Sequence, residues 1–429
     1  MAVVHSDSHS LPIRRNTILL SASLATSSAM LQLSAAVATL TVALVVGIEG
    51  LLGLGPALVL GAGALTALPA GRAMDRFGRR PVLAAGFAIG AAGGVISALG
   101  VGFEIAVAVL FGLMCVGAAG GIALLARTAA GDMYPPERRA RGVALVLFGT
   151  VFGAILGPAV FSPLLSGRDL DSDALVLPWL AAAAFMVVGL FLVLAVRPDP
   201  QRIAELLAAG RPDAGKPRAP AAPLRELVRR PGVIPSLLAA VASFSVMVSV
   251  MTLTGYVVVE EHGHAGHTVF PIIAAHVVGM YALVIVVGDA IDRIGRIPAL
   301  VGGLLLMAVA VISLLWITSV WATALALFAL GLGWNFSFVA ATAQLADRTA
   351  PHERGKLLGF NDLLSGLTGA GLALLGGYAL SALGVVALAI GATVLVLAPA
   401  AWISRTGAGF REATPATIVS RRTPSPPPL

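Results

Sequence analysis

The sequence carries little charge for its length. Only 11% of its 429 residues are charged, against about 25% in an ordinary globular protein. The mean hydropathy is +0.94. This is more apolar surface than a soluble protein of this size could bury in its core. Most of the chain is therefore expected to lie in lipid, where runs of about 20 apolar residues form helices that satisfy their own backbone hydrogen bonds.

Two further scarcities exclude classes of function. The chain has one cysteine, Cys115, so a disulfide within it and a cysteine metal cluster are excluded. It has no phosphate-binding loop with its lysine, so ATP is not expected to supply energy on this chain. No enzyme signature is found, and neither catalysis nor a bound cofactor is expected.

The charge that is present is gathered in short clusters between apolar runs. Residues 71–83 read GRAMDRFGRRPVL and hold five charged side chains. Residues 288–300 read GDAIDRIGRIPAL and repeat eight of the thirteen positions. A second pair of similar stretches, 132–142 and 347–355, keeps the same order. The chain is therefore duplicated, and internal repeats of this kind are typical of transporters.

Each half of the chain contains six apolar segments. In the first half they lie near 17–40, 51–71, 81–101, 105–128, 142–164 and 174–196, and in the second near 233–257, 268–288, 298–317, 320–343, 356–381 and 384–404. The predicted fold is an all-α integral membrane protein, with twelve transmembrane helices in two pseudo-symmetric six-helix bundles. The predicted domains are a tail over 1–16, a bundle over 17–196, a linker over 197–232, a bundle over 233–404 and a disordered tail over 405–429.

The distribution of basic residues predicts the orientation. With both termini in the cytoplasm, the cytoplasmic loops and tails hold 26 of the 28 lysines and arginines. Of the other two, Arg127 falls inside a helix and Arg168 lies outside. This bias follows the positive-inside rule. The net charge of +7 is therefore assigned to arginines at helix ends beside the lipid bilayer, and no nucleic-acid partner is expected.

The two charged stretches resemble the loop signature of the major facilitator superfamily. GRAMDRFGRRPVL is similar to the signature between the second and third helices, and GDAIDRIGRIPAL to its weaker copy between the eighth and ninth. The resemblance implies two bundles around a central cavity, alternating access, and a place in the bacterial cell membrane. The motif residues expected to act in gating are Gly71, Asp75, Arg76, Gly78, Arg79 and Arg80, with Gly288, Asp292, Arg293, Gly295 and Arg296 in the second copy.

A shorter motif in the fifth helix resembles that of drug–proton antiporters. Gly153, Gly157 and Pro158 match its GxxxGP pattern. The two glycines expected next are Phe161 and Ser162, and the arginine expected in the fourth helix is Leu113. These departures weaken any transfer of the antiporter mechanism.

The aspartates of the two charged stretches are expected to hold the bundles together. Asp75 lies at the cytoplasmic end of the second helix, and the eleventh helix begins on the same side near Lys356, with its positive dipole end facing inward. We expect Asp75 to lie against that end, and Asp292 to lie against the start of the fifth helix near Gly142. Opening toward the cytoplasm would break both contacts.

The neighbouring arginines and glycines have other roles. Arg138, Arg139 or Arg141 is expected to pair with Asp75 or with lipid phosphate. The alternative is that the arginines only anchor helix ends to anionic lipid. The glycines of both stretches permit the tight turn that reverses the chain.

Polar residues inside the predicted helices are candidates for substrate binding or proton coupling. They are Asp362, His276, Arg127, Trp334, Asn335 and Gln344. Asp362 lies roughly 10 Å into the eleventh helix, where a carboxylate usually lines water or has a partner. It is the first candidate for the coupling carboxylate; alternatively, it pairs with Arg354 or Lys356.

The other candidates also have two interpretations each. His276 can carry a proton or hydrogen-bond a neighbouring helix. Arg127 can extend to the cytoplasmic surface, bind an anionic group or pair with an acidic residue. Asn361 adjoins Asp362 but is expected to point to a different face. The loop over 260–267, EEHGHAGH, is interpreted as a solvated connector rather than a metal site.

The leading functional hypothesis is proton-linked efflux of a small, amphipathic molecule by a functional monomer. Its basis is the GxxxGP motif together with apolar cavity walls. The alternatives are a proton-coupled uptake carrier for a metabolite and, from another class, a membrane sensor or scaffold that does not transport.

Overall fold

The computed structural model describes residues 11–46, 54–165, 173–209, 221–256, 258 and 269–406. These residues form helices and turns without any strand, as the predicted all-α fold requires. The first half contains α1 (Ile13–Thr41), α2 (Leu54–Phe77), α3 (Arg79–Gly102), α4 (Ala106–Leu124), α5 (Ala126–Asp132), α6 (Arg139–Leu147), α7 (Gly149–Leu165) and α8 (Val176–Leu194). The linker contains α9 (Pro200–Ala209) and α10 (Leu224–Arg229). The second half contains α11 (Val233–Tyr256), α12 (Val269–Tyr281), α13 (Val284–Ile294), α14 (Arg296–Ser313), α15 (Val320–Asp347) and α16 (Arg354–Thr406).

A helix of the structure lies over each of the twelve predicted segments. Ten described spans are long and apolar enough to cross a membrane, and α12 with α13, bent by 44°, makes an eleventh. The predicted segment 356–381 is the first part of α16, which the non-helical Gly384 divides in two. The predicted fold of two six-helix groups is therefore confirmed.

Helix ends differ from prediction at the two charged stretches. The helix α2 continues to Phe77 and α13 continues to Ile294, each about two turns beyond the predicted end. Only Gly78 and Gly295 separate them from the following helices, with φ values of 96° and 95°. Such positive φ values favour glycine. The motif aspartates therefore lie on the last turns of helices rather than in loops.

Two interfaces join the halves at the end of the molecule that holds both charged stretches, here called the charged end. There α2 packs along the first part of α16, and α13 packs along α6. A methyl group at Gly71 would collide with the carbonyl oxygen of Gly355, and one at Gly288 would press on Ala144. The motif glycines that begin each stretch thus permit close approach of the two halves.

Some predicted features lie outside the described residues. They are Arg168, the loop over 260–267, most of the tail over 1–16 and nearly all of the tail over 405–429. Within the part of the chain that the structure describes, no group of three or more metal-ligating side chains is found.

Candidate functional site

Asp75 caps the start of α16 across the interface between the halves. Its two carboxylate oxygens accept hydrogen bonds from the backbone N–H groups of Gly355 at 2.9 Å and Lys356 at 2.6 Å. The first N–H groups of a helix have no partner inside it, and the helix dipole places partial positive charge there. A carboxylate of one half therefore satisfies the helix start of the other.

Arg79 connects this carboxylate to a buried network of ion pairs. Its guanidinium is fully buried and contacts Asp75 at 3.0 Å, Asp132 at 2.7 Å and the carbonyl oxygen of Pro351. Arg354, the first residue of α16, contacts Asp132 at 2.6 Å. These four charged residues and the start of α16 form what we call the first latch. One of its ion pairs, Arg354–Asp132, and three of its hydrogen bonds join opposite halves.

The second copy builds the same arrangement with the halves exchanged. Asp292 accepts two backbone N–H groups in the first turn of α6, at 3.3 and 2.9 Å. Arg296 contacts Asp292 at 2.5 Å and Asp347 at 3.2 Å, and Arg139 pairs with Asp347. Together with the start of α6, these residues form the second latch.

The two latches differ in exposure. The side chains of Arg79 and Asp132 are 0% exposed in the first latch, whereas Arg296 is 11% and Asp347 is 21% exposed in the second. Charges attract more strongly where water is excluded, but their burial also costs solvation free energy. Opening the first latch thus separates the more deeply buried charges.

Sequence reasoning assigned Asp75 the wrong arginine. The expected pairing with Arg138, Arg139 or Arg141 is not formed: Arg139 contacts Asp347, and Arg141 contacts Asp289 at 3.4 Å. The reason is geometric. These arginines lie at the start of α6, which packs on α13, whereas Asp75 lies on α2, which packs on α16.

The remaining motif arginines contact their own half. Arg80 donates to the carbonyl oxygen of Leu194 at 2.8 and 3.1 Å. Arg76 lies over the ring of Phe77, 5.1 Å from its centroid, and Arg293 is exposed. These residues are placed to hold helix ends rather than to join the two halves.

The linker contacts the first motif stretch and the 347–355 stretch, which sequence reasoning missed. Asp199 accepts the backbone N–H groups of Arg79 at 3.2 Å and Arg80 at 2.8 Å, so a linker carboxylate caps α3. At the other end of the linker, Arg230 contacts Glu353 at 2.6 Å. Burial raises the pKa of the Glu353 carboxyl, but the hydrogen bonds from Arg230 and from the backbone N–H groups of Ala222 and Ala350, with the charge of Arg230, together lower it more, and the pKa lies below its ordinary value.

A further ion pair joins the halves deeper in the bundle. Arg127 is 0% exposed and pairs with Asp362, whose side chain is 9% exposed. The same guanidinium contacts the hydroxyl of Thr342 at 3.3 Å. Asp362 lies eight residues into α16, about 12 Å from its first residue. The buried position excludes extension of Arg127 to the surface, and Asp362 has a partner in the other half rather than Arg354 or Lys356.

Aromatic rings flank this ion pair. Arg127 lies over the ring of Phe338, 4.5 Å from its centroid. Phe338 stacks on Trp334 with centroids 4.6 Å apart and an angle of 17°. Tyr281 meets Trp334 edge to face at 5.8 Å. The rings therefore form a column from α12 through α15 to the Arg127 guanidinium. We call the ion pair, this column and Asn335 the central site.

Several buried polar atoms around the central site have no hydrogen-bond partner among the described residues. They are Trp334 Nε1, both amide atoms of Asn335, Asn361 Oδ1, Asp362 Oδ2 and Ser365 Oγ. Asn361 adjoins Asp362, and its amide donates to the Asp362 carboxylate at 3.2 Å. Helical spacing places Asn335, Phe338 and Thr342 on one face of α15.

Two predicted candidates lie away from this site. His276 is buried and its Nδ1 contacts the carbonyl oxygen of Leu327 at 2.8 Å, near the opposite end of α15 from the charged end. The side chain of Gln344 lies beside Gly232, which precedes α11. Of the six candidates, the structure thus gathers Arg127, Asp362, Trp334 and Asn335.

The glycines of the fifth-helix motif pack α7 on α1. A methyl group at Gly153 would collide with the carbonyl oxygen of Ala25, and one at Gly157 would press on Gln32. The side chain of Pro158 is not among the described ones. The motif therefore permits a close helix contact inside the first half.

Comparisons with known proteins agree on one family. The family model described as Major Facilitator Superfamily matches residues 16–288 and 257–425. The uncharacterised MFS-type transporter YdeG of Bacillus subtilis is 33% identical over 76% of this chain and 76% of its own. The riboflavin transporter RfnT of Brucella anthropi is 34% identical over 70% and 73%. The solved structure of the proton:xylose symporter XylE covers 92% of this chain and 95% of its own, with a TM-score of 0.76 and 16% identity, and shows a likeness of fold.

Proposed function

Because the chain belongs to the Major Facilitator Superfamily, we propose that it is a proton-coupled carrier for a small molecule that works by alternating access. It is a multi-pass membrane transporter and not an enzyme. The observation that carries the coupling proposal is the Arg127–Asp362 ion pair, which joins the halves beside the aromatic column. The carrier needs no cofactor and acts as a monomer in the bacterial plasma membrane.

The two latches support alternating access. Both are closed in this structure, so the charged end is held shut by ion pairs and helix caps between the halves. Opening that end breaks both latches together, since each lies on one of the two interfaces that join the halves there. By the positive-inside rule, the charged end and both termini face the cytoplasm.

Protonation of Asp362 is the proposed coupling step. The ionised carboxylate holds Arg127 of the other half. A proton on the carboxylate removes the charge that attracts the guanidinium, and the bridge between the halves weakens. Removing the charge of one partner of a buried ion pair costs about 3–5 kcal/mol. A single proton on Asp362 removes such a charge, and this is enough to shift a balance between two conformations.

Efflux is the proposed direction, and uptake of a metabolite is the second candidate. The support for efflux is the GxxxGP motif and the close packing of α7 on α1 at Gly153 and Gly157. The support for uptake is the relative named as a riboflavin transporter, because riboflavin is a metabolite.

Proteoliposomes with opposite pH gradients test both the coupling and the direction. Riboflavin and the amphipathic dye Hoechst 33342 serve as probes. An exchange carrier accumulates its probe when the vesicle interior is acid, whereas a symporter does so when the exterior is acid. Asp362→Asn should abolish the response to either gradient. If neither pH gradient changes probe transport by the unaltered protein, proton coupling is contradicted.

A further inference from the structure

The central site offers an unusual set of unsatisfied polar atoms. Asn335 is 0% exposed, and neither its amide nitrogen nor its amide oxygen has a partner among the described residues. The indole nitrogen of Trp334, one residue earlier, is in the same situation. Leaving such groups buried without hydrogen bonds destabilises a fold. Their presence together points to a ligand that supplies the missing partners.

The donor and acceptor pattern narrows the chemistry of that ligand. A carboxamide presents one N–H donor beside one carbonyl acceptor, and it pairs in a bidentate way with a ring edge that carries the complementary acceptor and donor. A cyclic amide or imide presents such an edge. The indole N–H of Trp334 adds one further donor for a second ring carbonyl.

The apolar part of the site indicates a flat molecule. Trp334 and Phe338 are stacked at 4.6 Å, and Tyr281 presents its ring edge to Trp334 at 5.8 Å. Trp334 covers one face of Phe338 and Arg127 covers the other, so a planar ring would pack beside this column, where aromatic side chains favour other rings. The same helical face of α15 carries Asn335, so the column and the amide lie on one side of the helix.

The charges of the site favour a neutral ligand. Arg127 and Asp362 are paired, so together they carry no net charge while Asp362 is ionised. A charged ligand would bring an uncompensated charge into a buried region. An uncharged ring with a polar edge avoids this cost.

We propose that the carrier recognises uncharged, planar heteroaromatic molecules, with Asn335 binding their cyclic amide or imide edge beside the Trp334–Phe338 stack. This proposal rests on the proposed function, since it takes the central site to be the transport site. It adds the chemical class of the cargo and the residue that selects it.

Binding of matched ring compounds to the purified full-length protein tests this proposal. The probe is lumichrome, an uncharged three-ring compound whose ring N–H groups lie beside carbonyls, and the control is its 1,3-dimethyl derivative, which lacks both N–H groups. Binding to the unaltered protein is measured by quenching of lumichrome fluorescence. Lumichrome should bind roughly tenfold or more tightly than the methylated compound, because one bidentate contact is lost. Equal affinities, or binding of D-xylose in place of lumichrome, would overturn the proposal.

Substitutions on α15 test whether Asn335 causes the preference for lumichrome over its methylated derivative. Asn335→Ala should bring the two affinities close to each other, whereas Asn335→Gln should keep part of the difference. Gln344→Ala removes another buried amide of α15, beside Gly232, and should leave the preference unchanged. A preference that survives in Asn335→Ala, or disappears equally in Gln344→Ala, would contradict the assignment. The comparison of the two ring compounds needs no variant, so it stands even if one fails to fold.

The binding measurement separates this proposal from the proposed function. No proton gradient is used, so lumichrome binding with transport that ignores pH would contradict only the coupling. Proton-coupled transport of another solute, without lumichrome binding, would contradict only the ligand class.

Discussion

At the scale of single residues, the central site and the latches depend on carboxylates with different partners. Asp75 and Asp292 accept backbone N–H groups at helix starts. Asp362 contacts a guanidinium and the Asn361 amide, and keeps one oxygen without a partner among the described residues. Asp75 and Asp292 are each held by two backbone N–H groups and an arginine, and Asp362 is the carboxylate for which we propose proton exchange.

Glu353 gives a prediction about pH at this scale. Its pKa is lowered in the folded protein, so the ionised form stabilises the fold above the ordinary pKa of about 4.3. That contribution is lost as the pH falls through the lowered value. Glu353→Gln should therefore lower the free energy of unfolding by about 1–3 kcal/mol near neutral pH, and the loss should shrink in acid.

Thermal unfolding in detergent at neutral pH and below about pH 4 measures this difference. Glu226→Gln is the matched control, because Glu226 is an exposed residue of α10, and it should change little at either pH. A loss in Glu353→Gln that is as large in acid as at neutral pH would contradict a role for the ionised Arg230–Glu353 contact.

At the scale of elements, the close approach of α2 to α16 controls closure of the charged end. A side chain at Gly71 meets the backbone of Gly355, whereas one at Gly61, on the same helix, has open space around it. A side chain is therefore excluded at Gly71 but not at Gly61, a difference that the sequence alone does not show.

Valine at these two glycines should have opposite outcomes. Gly71→Val should keep the charged end open, and Gly61→Val should leave it closed. Spin labels on cysteines at the exposed positions 76 and 293, in a Cys115→Ala background, report the distance between the halves. The distance should increase in Gly71→Val alone. Equal distances in both variants would show that helix contact at Gly71 is not needed for closure.

The helices and the two charged stretches were predictable because their signals are local. Apolar runs predict spanning helices, and the repeat at an offset of 217 residues identified Asp292 as the counterpart of Asp75. The Arg127–Asp362 pair was not predictable, since its partners are 235 residues apart and no local pattern connects them. The cap by Asp199 was missed for a related reason: Asp199 and the two N–H groups that it accepts are 120 and 119 residues apart, and no repeat connects them.

The latch partners show an intermediate case. Asp132 and Asp347 lie in the second repeated pair of stretches, so their retention in both halves was a signal for a shared role. The role itself, pairing with Arg354 and Arg139 across the halves, depends on how the bundles face each other. Only the structure supplies that information.

At the scale of the whole molecule, two latches at the charged end and one ion pair in the middle join the halves. The first latch and the Arg127–Asp362 pair share α16 and the chain segment around α5. Movement of α16 away from the first half would therefore open both. The central claim is that a proton on Asp362 favours this movement.

The most direct test is the pH dependence of the distance between labels at positions 76 and 293, measured without any substrate. In the unaltered protein, a lower pH should shift the distance distribution toward longer values. In Asp362→Asn the distribution should already include the longer distances and should not change with pH. The same response to acid in Asp362→Asn would place the effect on another carboxylate and contradict the claim. Label distances that do not change with pH in the unaltered protein would contradict it as well.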